Sequence, residues 1–185
     1  ETKKKSRIES GFDVNVEDMN PALFDFQRYC VNRALKVGRF ALFEDCGLGK
    51  TLQQLEWSDK VVNHTNKPVI ILAPLGVVGQ TIQEGFKFGY NVSEIGINVF
   101  DLDLPKGIYI TNYENLDNID TELFGGVVLD ESSILKNFDG KTKQKIIDAF
   151  KDTPYKLACT ATPSPNDTME LCNHAEFLNV MNRNE

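Results

Sequence analysis

Apolar residues along this chain fall into two rhythms that alternate. Short, nearly continuous runs of Ile, Val, Leu, Ala and Phe predict strands over Arg39–Phe43, Pro68–Ala73, Gly96–Phe100, Gly107–Thr111, Gly126–Asp130 and Tyr155–Thr160. Runs this short and this apolar are what strands covered on both faces require. Between them, Lys50–His64, Val77–Phe86 and Thr142–Phe150 repeat apolar residues at intervals of three and four, the spacing that lines one side of a helix. Upstream, Pro21 opens a helical pattern in which Leu23, Phe26, Cys30, Val31, Ala34 and Leu35 recur until Gly38 stops it. Residues 1–20 carry no clear period and are expected to be a leader or an edge element. The alternation from 21 to 185 predicts an α/β domain, a mostly parallel sheet with helices on both faces.

Composition narrows the class. The 185 residues suit one domain, and 41% apolar with 25% charged residues is the balance of a folded globular chain. The longest apolar runs, such as Val69–Ala73, fall far short of the roughly 20 residues that cross a bilayer, so no membrane partner is expected. The start, Glu1-Thr2-Lys3-Lys4-Lys5, has no signal-peptide pattern and no initiator Met, which points to a trimmed chain. Cys30, Cys46, Cys159 and Cys172 form no CxxC pair, and with only His64 and His174 to join them no structural zinc is expected. Thiols scattered in this way fit a reducing cytoplasm. A net charge of −7 argues against a broad basic surface, and leaves a local grip on phosphates by backbone amides and a few cations.

In open parallel sheets the working residues gather at the carboxyl ends of the strands. The first strand runs into Glu44-Asp45-Cys46-Gly47-Leu48-Gly49-Lys50-Thr51, the P-loop pattern GxxxxGK[ST] with Glu44 in place of its first Gly. Gly47 and Gly49 let the backbone turn so that amides from Asp45 to Thr51, Cys46 and Leu48 included, face phosphate oxygens at a helix N-terminus. Lys50 then reaches the β- and γ-phosphates, and Thr51 is a Mg²⁺ ligand. The strand from Gly126 delivers Asp130, a second Mg²⁺ ligand, and Glu131, placed to orient and deprotonate water. Two further strand ends carry Thr160-Ala161-Thr162-Pro163 and Ala73-Pro74-Leu75-Gly76. Taken singly, each has a plainer reading as turn glycines, solvated carboxylates or a Pro-ended turn. Their order along one sheet is what carries weight.

P-loop, Ala-Pro, Asp-Glu and Thr-x-Thr-Pro, in this order and each at a strand end, resemble motifs I, Ia, II and III of superfamily-2 helicases of the DEAD/DEAH type. EDCGLGKT, ITNYENL and LDESSILKN look most like the Swi/Snf-type translocases and related phage helicases, whose motifs read DExGLGKT, ITxYE and DExHxLKN. Thr162-Pro163-Ser164-Pro165-Asn166-Asp167 is similar to their GTPxxN. The resemblance implies a RecA-like P-loop lobe that binds ATP and Mg²⁺ and moves on DNA, duplex favoured over RNA. Phe24-Asp25-Phe26-Gln27 resembles the Q motif, which assigns Gln27 to adenine. Pro74, Thr111, Asn112 and Tyr113 would border the nucleic-acid track. Thr160 and Thr162 would couple it to ATP. Ser132-Ser133 stands where DEAD and DEAH proteins carry Ala-Asp or Ala-His, which leaves Ser133 to make an uncharged contact from motif II to motif III. Nothing after Pro163 can hold motifs IV to VI, so the second RecA-like lobe and its arginine finger are expected outside this chain, and the lobe alone is expected to hydrolyse ATP poorly.

Two other classes stay open at the level of sequence. A P-loop kinase would need a lid of clustered arginines, and Pro154 to Asn182 holds none. A non-enzymatic ATP-binding interaction module has no need of Lys50, Thr51, Asp130 and Glu131 together, yet all four stand.

Overall fold

The computed structural model describes residues 9–44, 49–96, 104–133, 140–161, 174–175 and 177–179. Six parallel strands form its centre: β1 (Arg39–Phe43), β2 (Val69–Ala73), β3 (Val92–Glu94), β4 (Ile108–Asn112), β5 (Gly126–Leu129) and β6 (Tyr155–Thr160). Their order across the sheet is β1-β6-β5-β2-β4-β3. Four helices cover it, α1 (Asp25–Val37), α2 (Lys50–Thr65), α3 (Leu75–Lys87) and α4 (Gly140–Ala149).

The period of two along each strand splits the core. Val69, Ile71 and Ala73 of β2 pack with Leu35, Leu55, Trp57 and Val61 of α1 and α2, whereas Ile70 and Leu72 pack with Ile146, Ile147 and Phe150 at α4. A strand buried on both sides has no polar face to spare, which is why β2 reads as an unbroken apolar run. α1 ends as its sequence requires: Gly38 adopts φ 82°, a left-handed conformation that costs glycine little, and its amide bonds the carbonyl of Ala34.

The strand expected over Gly96–Phe100 falls on residues of which 97–100 lie outside the described set, and the structure adds a strand that was not expected, at Val92–Glu94. This strand lies at the edge of the sheet, and along it only Val92 is buried, Ser93 and Glu94 being exposed, with Ile95 buried just beyond its end. Among the described residues, 9–20 form no strand. Instead Ser10 Oγ, Gly11 N and Phe12 N donate to the carbonyls of Val37, Lys36 and Leu35, the groups that the last turn of α1 leaves without helical partners. Phe12 stacks on His64 of α2, and Asn20 N donates to the buried carboxylate of Glu56, which also accepts from Tyr90 Oη. This segment is tied into the lobe at both of its ends.

Candidate functional site

The strand order sets β1, β6, β5, β2 and β4 side by side, so the four motif-bearing junctions and the end of β4 share one edge of the sheet. Phe43 is in register with Thr160, and Leu129 with Ala158. Residues 45–48 of the phosphate loop and Thr162 lie outside the described residues. What flanks them is described. Gly49 is the N-cap of α2 with φ 73°, in the left-handed region, and makes no side-chain cap bond, so the first amides of α2 are not closed off by their own cap. Thr51 is half-buried in the first turn.

The three acid–base groups converge. Lys50 Nζ lies 2.7 Å from Glu131 Oε1, a pair only partly screened from water. Asp130 is buried, and its Oδ1 accepts from Gln54 Nε2 at 2.8 Å and from the Glu131 amide at 3.0 Å. Burial pushes the Asp130 carboxyl above its ordinary pKa, while the Gln54 bond and the Lys50 charge pull the other way. Glu131 itself has φ 49°, a conformation that a side-chain-bearing residue adopts only when its surroundings hold it. Tyr113 supplies part of that support from beneath, its Oη donating to the Asp130 carbonyl at 2.6 Å.

Glu44, the departure from the P-loop pattern, is anchored twice. Its amide bonds the Thr160 carbonyl at 3.2 Å and its Oε2 accepts from Gln53 Nε2 at 2.6 Å. The amide thereby ties the end of β1 to the end of β6, and the carboxylate ties it to α2. Gln27 is buried on α1. Its Oε1 accepts from the Phe24 amide at 2.9 Å, and its Nε2 lies 2.4 Å from where a Cβ on Gly49 would sit. Any side chain at Gly49 would displace Gln27.

The remaining expected residues separate by depth. Pro74 caps α3 and Asn112 caps the 3-10 turn that follows β4, both half-buried at the edge. Thr111 and Tyr113 are instead interior: Thr111 Oγ1 donates to Ile95 O, and Tyr113 reaches back to Asp130. Ser133 and Thr160 are buried as well. Sequence reasoning passed over Gln53 and Gln54, and gave Ser132 and His174 no role at this site. Gln54 had a signal, since it lies four residues after Lys50 on α2 and so shares its face.

The oxygen donors present, a buried carboxylate at Asp130 with the hydroxyl of Thr51 near the start of α2, suit a hard cation such as Mg²⁺. Among the described residues no cation other than Lys50 neighbours Asp130 by charge, and Lys50 is engaged by Glu131. A divalent ion would offset the cost of burying that carboxylate.

A six-stranded, all-parallel sheet with helices on both faces and a Gly-Lys-Thr helix start at its carboxyl edge is a RecA-like α/β fold. Solved structures with this fold include the Sulfolobus solfataricus SWI2/SNF2 ATPase core in complex with dsDNA, with TM-score 0.76 at 23% identity over 90% of this chain and 37% of that one. The UvsW helicase of bacteriophage T4 superposes with TM-score 0.70 at 14% identity, over 84% of this chain and 58% of that one. Among curated sequences, the chain is 29% identical over 175 residues to putative protein p41 of Acyrthosiphon pisum secondary endosymbiont phage 1, covering 83% of this chain and 38% of that protein. It is 26% identical over 165 residues to the Xenopus laevis SWI/SNF-related matrix-associated actin-dependent regulator of chromatin subfamily A-like protein 1, covering 80% of this chain and 16% of the frog protein. No family model matches the chain. It thus spans well under half the length of these curated relatives.

Proposed function

We propose that this chain is the ATP-binding lobe of an ATP-dependent translocase or helicase acting on DNA, with duplex favoured over RNA. The observation that carries the reading is the meeting of Lys50, Glu131 and Asp130 at the start of α2, on the carboxyl edge of a parallel sheet. Phosphates would be held by the backbone from Asp45 to Thr51, by Lys50, and by the uncapped N-terminus of α2. Mg²⁺, held by Thr51 and Asp130, would supply charge neutralisation at the phosphates. Lys50 moves from Glu131 to phosphate, which frees the Glu131 carboxylate to orient and deprotonate water. Gln27 would read adenine beside Gly49.

Pro74 and Asn112, with exposed Leu75 next to them, would face the nucleic acid, while Thr111 and Tyr113 support that edge from below. Ser133, Thr160 and Thr162 would relay its occupancy to the ATP site. A DNA substrate is supported by the likeness to a SWI2/SNF2 core solved with dsDNA. The share of each relative that the chain covers supports a second RecA-like lobe elsewhere in the protein, whose arginine finger would contribute roughly 10³ to 10⁵ in rate. The lobe alone would then bind ATP weakly and turn it over slowly. A reducing, cytoplasmic setting belongs to the same reading, in keeping with the free thiols of Cys30 and Cys159.

The test is ATP hydrolysis by the full-length protein with single-stranded DNA, duplex DNA and RNA side by side. Duplex DNA should stimulate most, and Glu131→Gln should retain ATP binding while losing turnover. Turnover that is unchanged in Glu131→Gln would remove the assigned base.

A further inference from the structure

Ser132 is buried, and its hydroxyl meets two partners. Oγ lies 3.2 Å from the carbonyl oxygen of Cys159 and 2.6 Å from Nε2 of His174, itself buried. A hydroxyl has one proton to give and a carbonyl can only accept. Ser132 therefore donates to Cys159 and accepts from His174, which places a proton on Nε2 of that ring. The edge of the same imidazole meets Phe43 at 5.5 Å between centroids.

The two neighbours of His174, and the Cys159 carbonyl that Ser132 reaches, are not scattered. Phe43 is the last residue of β1, Ser132 follows the end of β5, and Cys159 stands one residue before the end of β6. The ring thus touches the strand end that leads to the phosphate loop and the residue that follows Asp130-Glu131, and through Ser132 it is linked to the end of β6. Ser132 is bonded directly to Glu131, whose left-handed backbone needs outside support. Tyr113 and Gln54 hold the Asp130 side of that turn. The Ser132–His174 pair holds the other. The bridge from the Asp-Glu junction to β6 therefore runs through residue 132 with a histidine from a distant part of the chain.

The segment carrying His174 is itself fastened. Leu178 N bonds His174 O at 3.0 Å, the buried ammonium of Lys156 on β6 donates to Phe177 O at 3.0 Å, and Asn179 Nδ2 donates to Lys151 O at 2.9 Å. A shift of this segment would be felt at Ser132.

We infer that His174 is a positioning residue for ATP hydrolysis: through Ser132 it fixes the turn that aims Glu131, and it makes that aim depend on how the segment at 174–179 is seated. The inference rests on the ATPase reading above.

In the full-length protein, His174→Ala should lower DNA-stimulated kcat by about 10- to 100-fold, the scale of one lost buried hydrogen bond with its partner left unmet, while the Kd of a fluorescent ATP analogue stays within about twofold. Ser132→Ala should show the same loss, and the double variant no more than either single one. His174→Gln, which can present an N–H near the place of Nε2, should recover most of the rate. Thermal melts identify any variant that does not fold; should His174→Ala be one, Ser132→Ala and His174→Gln carry the comparison. A kcat for His174→Ala within twofold of wild type, additive losses, or a Kd that rises in step with the loss of rate overturns the inference. Amide exchange over 127–133 without nucleotide gives an independent arm. It should quicken in His174→Ala and Ser132→Ala and not in His174→Gln, and unchanged exchange overturns the positioning role. If the wild-type protein hydrolyses no ATP, the ATPase reading falls, and the exchange result alone decides whether His174 holds the turn.

Discussion

Gln54 and Asp130, 76 residues apart in sequence, are joined by a buried hydrogen bond of 2.8 Å from the Gln54 amide to the Asp130 carboxylate. The bond fixes which carboxylate oxygen remains for a metal. A hydrogen bond to a charged group contributes about 1.5–3 kcal/mol, and it is made here where burial otherwise disfavours the charge. Gln54→Ala should therefore raise the Mg²⁺ concentration needed for half-maximal ATPase by about 10-fold or more. A Mg²⁺ titration matching wild type would show that Gln54 does not orient the metal ligand.

The ion pair of Lys50 with Glu131 has a different worth. Lys50 is largely shielded and Glu131 is about a third exposed, with side-chain exposures of 12% and 36%, so the pair adds under about 1 kcal/mol to stability. Lys50→Ala should leave the thermal midpoint within a few degrees of wild type while abolishing measurable ATP binding. Calorimetric titration and a melt on the same sample check both halves; a large drop in midpoint would mean that Lys50 is chiefly structural.

Lys156 lies fully buried on β6, where burial first, and Arg39 second, bring its pKa down to about 8. In the unfolded chain it titrates near its ordinary value of 10.5. Below pH 8 both states hold the proton, and the residue's contribution is at its lowest. Between about 8 and 10.5 the unfolded state binds more protons, so that contribution rises with pH. Urea melts at pH 7, 8.5 and 10 should show wild type gaining stability relative to Lys156→Met across this window. Parallel curves for the two proteins would mean that the ammonium is not held in the folded state as described.

Gly11 sits where a Cβ would fall 1.7 Å from the carbonyl oxygen of Leu35, the acceptor of the neighbouring Phe12 amide. Backbone cannot swing aside as a side chain can. Gly11→Ala should cost about 1–3 kcal/mol and loosen residues 9–14 from α1. A denaturant midpoint equal to wild type would indicate that this segment contributes nothing to the lobe.

The sheet was legible chiefly because β2 and β5 are buried along their whole length, so their apolar runs are continuous and bounded by turn residues. Val92-Ser93-Glu94 was not named as a strand because it carries a single apolar residue, whereas the run that was named, Ile97-Asn98-Val99-Phe100, lies outside the described residues. At the site, Lys50, Asp130 and Glu131 could be named from the strand ends that carry them. Gln54 and Gln53 could have been, from helical spacing alone. Ser132 with His174 could not, because their meeting depends on the path of the chain after β6, and no local pattern encodes a partner 42 residues away. The depth of Thr111 and Tyr113 was hidden for a similar reason, since only the packed structure shows Tyr113 turning back beneath Asp130.

The position of β6 has a consequence for how the molecule comes to exist. Among the described residues it is the last strand in the sequence, yet it lies between β1 and β5, and it is the one described strand with which β1 pairs. Until Tyr155–Thr160 leaves the ribosome, β1 has no neighbour in the sheet, and the apolar side chains that face it have nothing to close upon. Pairings of such long sequence separation form slowly and leave sticky edges open meanwhile. In the growing lobe the first strand therefore waits until β6 is made, and the gap between β1 and β5 is filled by a single late insertion.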